Sequence, residues 1–491
     1  MATDQVGADR VGGPHHERHH RLRHGALSLF DSAVMGVAGV APAYSIAAST
    51  ATLFAAVAIG GPAALLYCGI AMFGIVWAFN YLGRTEANAG ASYAWVRRAL
   101  HPLFGYIAGW CLVVSALIFM VAGSVPAGST ILGLFSQRLA NSTGWVTVLA
   151  IVVFLAMVAA VIAGVTITAK VQVAMSSIEL AILLLFAVLM LAHSPKVAHF
   201  SLHWFAPSIF HGSAGFFAGA LVAAFYYWGW DVTANLNEET KGERVTPGIG
   251  AIIGVIIVFL LFEIFTIGSN LVLTPHQISN NAGDVLDALG QVVWPGLGGK
   301  LIVVAVALST IATLETTIIQ VSRTLFAMGR DGTMPRILGS THERRLTPVA
   351  ATLVVAVISI ALLLASNYVG SVGTILSDAI NAIGLQIAVY YGLAGLSVVV
   401  LYRKLLFTKV SYFIFAGLWP LAGAIFMGVM FEQALPGLNA TTKIVGIGAI
   451  LLGFVPMAIY WVKGRPYFHM PSPEERVVHL EDVATEESIS H

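Results

Sequence analysis

Residues Ser213 to Pro247 read SAGFFAGALVAAFYYWGWDVTANLNEETKGERVTP, and this stretch decides the fold. Its first part is apolar enough to enter a bilayer, but the run is interrupted at Tyr226-Tyr227-Trp228-Gly229-Trp230-Asp231. Glycine there loosens the helix, and a carboxylate sits at membrane depth, where charge is costly and usually functional. If the helix unwinds at Gly229, the half ending near Trp228 turns free carbonyls toward the membrane centre. The half beginning near Asp231 turns free amides there. Two such poles suit a ligand that carries both an ammonium and a carboxylate.

The surrounding chain has the composition such a helix needs. Of 491 residues, 58% are apolar and only 10% charged, with mean hydropathy +0.85. A water-soluble domain could not keep that balance off its surface, so the chain reads as a multi-span protein with the lipid bilayer as its partner. A net charge of +1 gives no reason to expect nucleic acid. Cys68 and Cys111 fall inside apolar runs, which argues against a disulfide framework or a cysteine metal site. Residues 1–24 are polar and hold no apolar core of a signal peptide, so the first span is expected to be retained.

A span needs about 20 apolar residues, and twelve such runs are read: 27–59, 62–83, 103–134, 145–164, 169–192, 213–240, 249–273, 300–328, 348–366, 372–401, 407–431 and 443–462. With this count, all 25 lysines and arginines except Arg138, Lys196, Lys300 and Lys443 fall on the side that holds both termini. The positive-inside rule then places both termini in the cytoplasm, across the plasma membrane. Residues 1–24 and 466–491 are read as cytosolic tails around a core of 25–465. His15, His16, His19 and His20 in the first tail allow metal binding, though attraction to lipid headgroups explains them better. The second tail, basic then acidic and without apolar periodicity, is expected to be disordered.

The first span holds Gly36-Val37-Ala38-Gly39-Val40-Ala41-Pro42, a second interruption at mid-membrane. Pro42 lacks an amide and is suited to begin a new half-helix. Breaks in spans 1 and 6, five spans apart, are the mark of two inverted five-helix repeats, here 27–192 and 213–401, followed by two extra helices in 407–462. Ordinary kinks at glycine and proline are the alternative. The fold expected is therefore all-α and integral to the membrane, with twelve transmembrane helices and spans 1 and 6 discontinuous.

Four segments together resemble the amino acid, polyamine and organocation transporter superfamily. They are Glu86 to Trp95 with Gly105-Tyr106 and Gly109-Trp110; Gly164-Val165 with Ala169 to Gln172, similar to the family's inner loop; Gly229-Trp230-Asp231 with Glu238-Glu239; and Ser322 to Gly332 with Met334-Pro335 and Thr347-Pro348. The resemblance spans most of residues 25–465 and implies secondary active transport of amino acids or related amines. Two departures stand out. The first break reads GVAGVAP rather than the family's frequent glycine, small residue, glycine triplet, and Glu179 stands where many relatives carry a lysine whose ammonium replaces a sodium ion.

An intramembrane carboxylate can take up a proton on one side and release it on the other. Glu179 lies about 14 Å and Glu315 about 20 Å from the cytosolic face, counting 1.5 Å per helical residue, and Asp231 lies at the central break. Each has a structural alternative. Glu179 could be permanently hydrogen-bonded, Glu315 could be satisfied by Thr313, Thr316 and Thr317, and Asp231 could cap the second half of span 6. For the substrate, amides in the Val37, Ala38, Gly39, Val40, Ala41 turn are expected to hold a carboxylate, and carbonyls of Met35, Gly36, Phe225 and Trp228 an ammonium. Resemblance makes Phe225 an aromatic gate, while Tyr226, Trp228 and Gly229 border the site. Ser309 and Thr310 sit where sodium-coupled relatives place hydroxyl ligands, a lesser alternative to the proton. Asp31 is read as a cap of span 1. Glu238 and Glu239 are paired with Lys241 and Arg244, and Arg323 and Asp331 are assigned to further ion pairs.

No Ser, His and Asp spacing, phosphate-cradling glycine loop or zinc-ligand cluster is present in the sequence, so neither enzyme activity nor a cofactor is expected. The reading is an importer of an amino acid or related amine working by alternating access as a proton symporter. The alternatives are an ion-independent amino acid or polyamine exchanger, and a membrane nutrient sensor, against which the short tails count.

Overall fold

The computed structural model describes residues 21–192, 196–281, 284–368 and 372–484. The histidine-rich stretch at 15–20 lies outside them. Ten helical stretches are long and apolar enough to cross a membrane among the described residues. The first, Leu29–Thr85, holds two spans, and Gly212–Tyr226 adds half of another. The twelve spans are Leu29–Val40 with Pro42–Val57, Gly61–Thr85, Pro102–Gly133, Thr143–Ala163, Val165–Ala192, Gly212–Tyr226 with Val232–Asn235, Thr246–Val272, Leu297–Arg330, Val349–Ser366, Val372–Leu401, Val410–Gly437 and Ala440–Val462. They form two inverted five-helix repeats and two added helices.

Burial separates central spans from peripheral ones. In their most apolar stretches 78% of span 8 and 72% of span 3 is buried, against 33% of span 4 and 17% of span 12. Water does not drive helices together inside lipid, so close backbone approach and polar contacts must hold the centre. Span 7 carries Gly250 and Gly254 one turn apart against the first half of span 1, and a Cβ on Gly254 would lie 3.3 Å from the carbonyl carbon of Gly36. Small residues on both sides let the two backbones touch.

Span 1 starts on a capping box. Ser28 N donates to Asp31 Oδ2 at 2.8 Å and Asp31 N to Ser28 Oγ at 3.2 Å, which satisfies two amides that would otherwise lack partners. Asp31 therefore helps cap the helix, as its position suggested. The helix ends at Ala41, which takes a left-handed φ of 54°, and Pro42 begins the second half. Span 6 is broken where Gly229 was expected to break it, within the expected bounds of 213–240. Its helix stops at Tyr226, turns through Gly229 at φ 108°, and resumes only for Val232–Asn235 and a 3-10 turn at Asn237–Glu239.

The end of the bundle that carries both chain ends, called here the tail face, is closed. Ala26 N and Leu27 N donate to Glu239 O at 2.7 and 3.0 Å, and Lys241 N to Leu27 O at 2.8 Å. The ion pairs differ from those expected. Arg323 grips Glu239 with both nitrogens, at 2.9 and 3.2 Å, and both side chains are fully buried. Arg330 grips Glu238 at 3.1 and 2.9 Å. Lys241 and Arg244 are not the partners: Lys241 is exposed, and Arg244 donates to the carbonyls of Thr85 and Asp482 instead.

The expectation of a disordered C-terminal end does not hold for residues 466–484. Tyr467 is buried and stacks on Tyr93 at 4.6 Å, and its hydroxyl donates to Tyr93 O at 3.2 Å. Val478 N donates to Leu401 O and Ala484 N to Arg84 O. Backbone hydrogen bonds, arginine donors and the rings of Tyr467 and Phe468 hold this segment, which explains why hydrophobic periodicity did not reveal it.

Breaking a buried ion pair leaves one charge without its partner, at a cost of about 3–5 kcal/mol. Arg323→Met should therefore lower the melting temperature sharply. Adding Glu239→Met to it should restore most of the loss, as measured by intrinsic fluorescence in a double-mutant cycle.

Candidate functional site

The two breaks meet back to back. A Cβ on Gly39 would run into the carbonyl of Gly229, and one on Gly229 into the carbonyl of Gly39. Only glycine allows this approach, and at Gly229 the positive φ demands it as well. Every residue from Met35 to Ala41 and from Phe225 to Asp231 is buried.

The polar groups at the first break are taken by side chains from spans 5 and 8 and by Ser45 of span 1 itself. Thr313 Oγ1 donates to Gly39 O at 2.9 Å, and Ser45 Oγ to Val40 O at 2.7 Å. At the start of the second half, Ala43 N donates to Glu179 Oε1 at 2.9 Å and Tyr44 N to Ser309 Oγ at 3.1 Å. Ser309 Oγ in turn donates to Glu179 Oε1 at 2.7 Å, while Glu179 Oε2 is buried with no partner. The amides expected to hold a substrate carboxylate lie elsewhere than predicted. Val37 to Val40 belong to the first half-helix and Ala41 N donates to Val37 O. The amides that find no partner within the helix are those of Ala43 and Tyr44, and Glu179 and Ser309 already accept from them. Thr310 Oγ1 donates to Val306 O within its own helix, so it does not join Ser309.

Asp231 does not cap the second half of span 6. Its oxygens instead accept from two adjacent tyrosines of span 10, Tyr390 Oη to Oδ2 and Tyr391 Oη to Oδ1, each at 3.0 Å. Trp228 Nε1 donates to the Tyr390 hydroxyl at 2.6 Å. One continuous chain of hydrogen bonds thus runs from the break to the carboxylate. The tyrosine pair was missed in the sequence, although two adjacent tyrosines in an apolar span are a signal that buried hydroxyls need partners.

Glu315 is met by span 5 rather than by its neighbouring threonines. Gln172 Nε2 donates to Glu315 Oε2 at 2.6 Å and to Ala312 O at 2.9 Å. Thr316 bonds within its own helix, and Thr313 faces Gly39. Gln172, placed in an inner loop by its resemblance, is fully buried inside span 5, which begins at Val165. A fourth membrane carboxylate, Glu263 of span 7, was passed over; both its oxygens are buried without partners. It is the one charged residue in Thr246–Val272, and that isolation was the available signal.

Aromatic rings fill the space beside the breaks. Phe119 of span 3 lies 5.7 Å from Tyr44, 6.3 Å from Phe225 and 5.5 Å from Trp228, centroid to centroid. Tyr226 is outside this group, with its hydroxyl 2.8 Å from Thr50 Oγ1 and its ring against Phe262. Two of the predicted carbonyl acceptors, Met35 and Gly36, are within the helical ladder, and Phe225 O accepts Trp228 N at 3.1 Å. A cavity of about 470 Å³ opens on the face opposite the tails and reaches Leu221 and Val222, one turn short of Phe225.

The arrangement of broken spans 1 and 6 against spans 3, 5, 8 and 10 can be compared with known proteins. The profile of the family described as amino acid permease matches residues 27–459. The chain belongs to the amino acid permease family. The likeness to the amino acid, polyamine and organocation superfamily, carried by four motifs in the sequence, is thereby upheld. This permease is 24% identical over 313 residues to the branched-chain amino acid permease BcaP of Lactococcus lactis, a match covering 58% of this chain and 64% of that one. It is 24% identical over 360 residues to the b(0,+)-type amino acid transporter 1 of Mus musculus, covering 70% and 69%. It is also 24% identical over 351 residues to the methylthioribose transporter of Bacillus subtilis, covering 68% and 73%. In fold it resembles the manganese transporter of Eremococcus coleocola, with a TM-score of 0.57 at 13% identity over 89% of this chain and 95% of that one.

Two outcomes follow from the geometry of the breaks. Gly229→Ala in this permease meets both the left-handed backbone and the Gly39 carbonyl, and should cost at least about 1–3 kcal/mol. Gly428→Ala, inside a helix where a Cβ meets nothing within 4 Å, should not lower the melting temperature. Tyr390→Phe and Tyr391→Phe each strip one hydrogen bond from a buried carboxylate and should each destabilise by about 1.5–3 kcal/mol, read by the same thermal unfolding.

Proposed function

We propose that this permease is a secondary active transporter that imports an amino acid or related amine across the plasma membrane by alternating access, coupled to protons. The observation that carries the coupling is Glu179 Oε1 on Ala43 N and Ser309 Oγ. The amide end of a half-helix attracts anions, and here it already holds one from the protein itself. A substrate carboxylate arriving at the same amides competes with the Glu179 carboxylate. Protonation of Glu179 removes that competitor's charge and lets the substrate take its place. By linkage, substrate and proton then favour each other's binding.

The remaining parts fit around that exchange. The distribution of basic residues supports a cytoplasmic tail face, and on this reading the closed tail face is the inner gate and the 470 Å³ cavity an outer vestibule. Substrate entering from the vestibule meets Phe225, and the rings of Phe119, Phe225 and Trp228 must part before it reaches the breaks. Carbonyls and amides around Met35 to Tyr44 and Phe225 to Gly229 then form its site. Opening inward requires the Arg323–Glu239 and Arg330–Glu238 pairs to separate span 6 from span 8. Relatives described as a branched-chain amino acid permease and a b(0,+)-type amino acid transporter support an amino acid as the substrate.

Purified protein in liposomes, loaded with an inward acid gradient, tests this reading. One proton per substrate and one pH unit should concentrate substrate about tenfold. Glu179→Gln should abolish that accumulation while counterflow exchange persists. Accumulation that follows sodium and ignores the pH gradient would overturn the coupling, and counterflow without accumulation in the unmodified protein would assign an exchanger.

A further inference from the structure

Five arginines that the sequence scatters over three segments converge on one cavity at the tail face. Arg97 and Arg98 come from the loop helix Ser92–Ala99, Arg330 and Arg336 from the end of span 8 and the turn beyond it, and Arg465 from the chain leaving span 12. The cavity they line measures about 740 Å³, and Glu86, Asp331 and Glu475 are the carboxylates on its wall. That volume is in the range of small-molecule sites and far above the space of one ion.

The arginines are not all satisfied by the protein. Arg330 is held by Glu238. Arg98 has only a loose approach to Glu86 at 3.7 Å, with Nε on the carbonyl of Glu475 at 2.7 Å. Arg97 gives Nε to Tyr467 O at 2.7 Å and lies over the Tyr467 ring at 5.0 Å, without a close carboxylate. The side chains of Arg336 and Arg465 have no hydrogen-bond or ion-pair partner among the described residues, and Arg465 Nε is buried in that state. A buried guanidinium nitrogen without an acceptor is costly, and an anion in the cavity would supply one. The planar fork of arginine matches two oxygens of a phosphate at once, and several forks around one cavity suit a group with more than one phosphate charge.

We propose that this cavity binds a phosphate-bearing anion of about diphosphate size, and that its binding fastens the C-terminal segment over the tail face. The geometry supplies the second half of that statement. A ligand touching Arg98, Arg336 and Arg465 joins the loop after span 2, the turn after span 8 and the C-terminal segment, whose Tyr467 already packs on Tyr93. The site is remote from the breaks and stands whether or not transport is coupled to protons. Two sources share this chemistry, a free polyphosphate and the headgroup of an anionic phospholipid.

The test uses the full chain in phosphatidylcholine nanodiscs, where both faces are open to solution. Inorganic pyrophosphate is titrated in one arm, and in the other phosphatidylglycerol is added to the disc without pyrophosphate. Melting temperature and the rate of protease cleavage within 466–484 are read in both. Stabilisation and slowed cleavage are expected in at least one arm, with pyrophosphate assigning the free anion and phosphatidylglycerol the headgroup. Arg336→Gln with Arg465→Gln should weaken the effective ligand by about tenfold or more, since two charge-assisted contacts are lost. Arg344→Gln, an exposed arginine outside the cavity, should not. If the double variant is poorly produced, Arg336→Gln alone, at an exposed position, should show a smaller loss of the same kind. No response in either arm, or a response untouched by these variants, overturns the proposal.

Discussion

The hydrogen bonds from Ala43 N and Ser309 Oγ to the Glu179 carboxylate are what the centre of this permease depends on. A membrane interior offers no water to a released peptide group, so a helix can be broken there only if the surrounding protein supplies acceptors and donors. At the first break spans 5 and 8 do so. Glu179 and Ser309 meet the amide end and Thr313, one turn along span 8, the carbonyl end, and the seam between spans 5 and 8 continues through Gln172 to Glu315. Burying two carboxylates is the cost of that arrangement, and each has one oxygen left without a partner. An atom in that state is where a proton can bind at least expense to the surrounding structure.

The second break is satisfied by different neighbours. Span 10 supplies both hydroxyls for Asp231, and Trp228 is tied to one of them. Because the first break leans on spans 5 and 8 and the second on span 10, while Gly39 and Gly229 press against each other, a shift of either half-helix is felt at both breaks. Packed interfaces of this kind change between discrete arrangements rather than deforming gradually. The rings of Tyr44, Phe119, Phe225 and Trp228 pack together beside the breaks.

At the tail face the same logic of satisfied polar groups produces a lock. Arg323 and Glu239 are fully buried, which makes their pairing strict, and the short bridge between Leu27 and Thr240 ties the start of span 1 to the end of span 6. Residues 466–484 cross this surface and connect the ends of spans 2 and 10 with the loop before span 3.

The sequence by itself determined the class of molecule, the number of spans and the location of both breaks, because bilayer thickness forces long apolar runs and because GVAGVAP and YYWGWD interrupt those runs visibly. It also marked Glu179, Asp231 and Glu315, since a lone charge in an apolar run stands out. Glu263 had the same signature and should have been read with them. Only the tertiary structure decided what those carboxylates touch. The partners, Ala43 for Glu179, the Tyr390 and Tyr391 pair for Asp231 and Gln172 for Glu315, lie more than a hundred residues away in the chain. No local pattern encodes such a contact. The packed C-terminal segment and the convergence of five arginines were hidden for the same reason: they arise from hydrogen bonds and chain crossings that leave no period in the sequence.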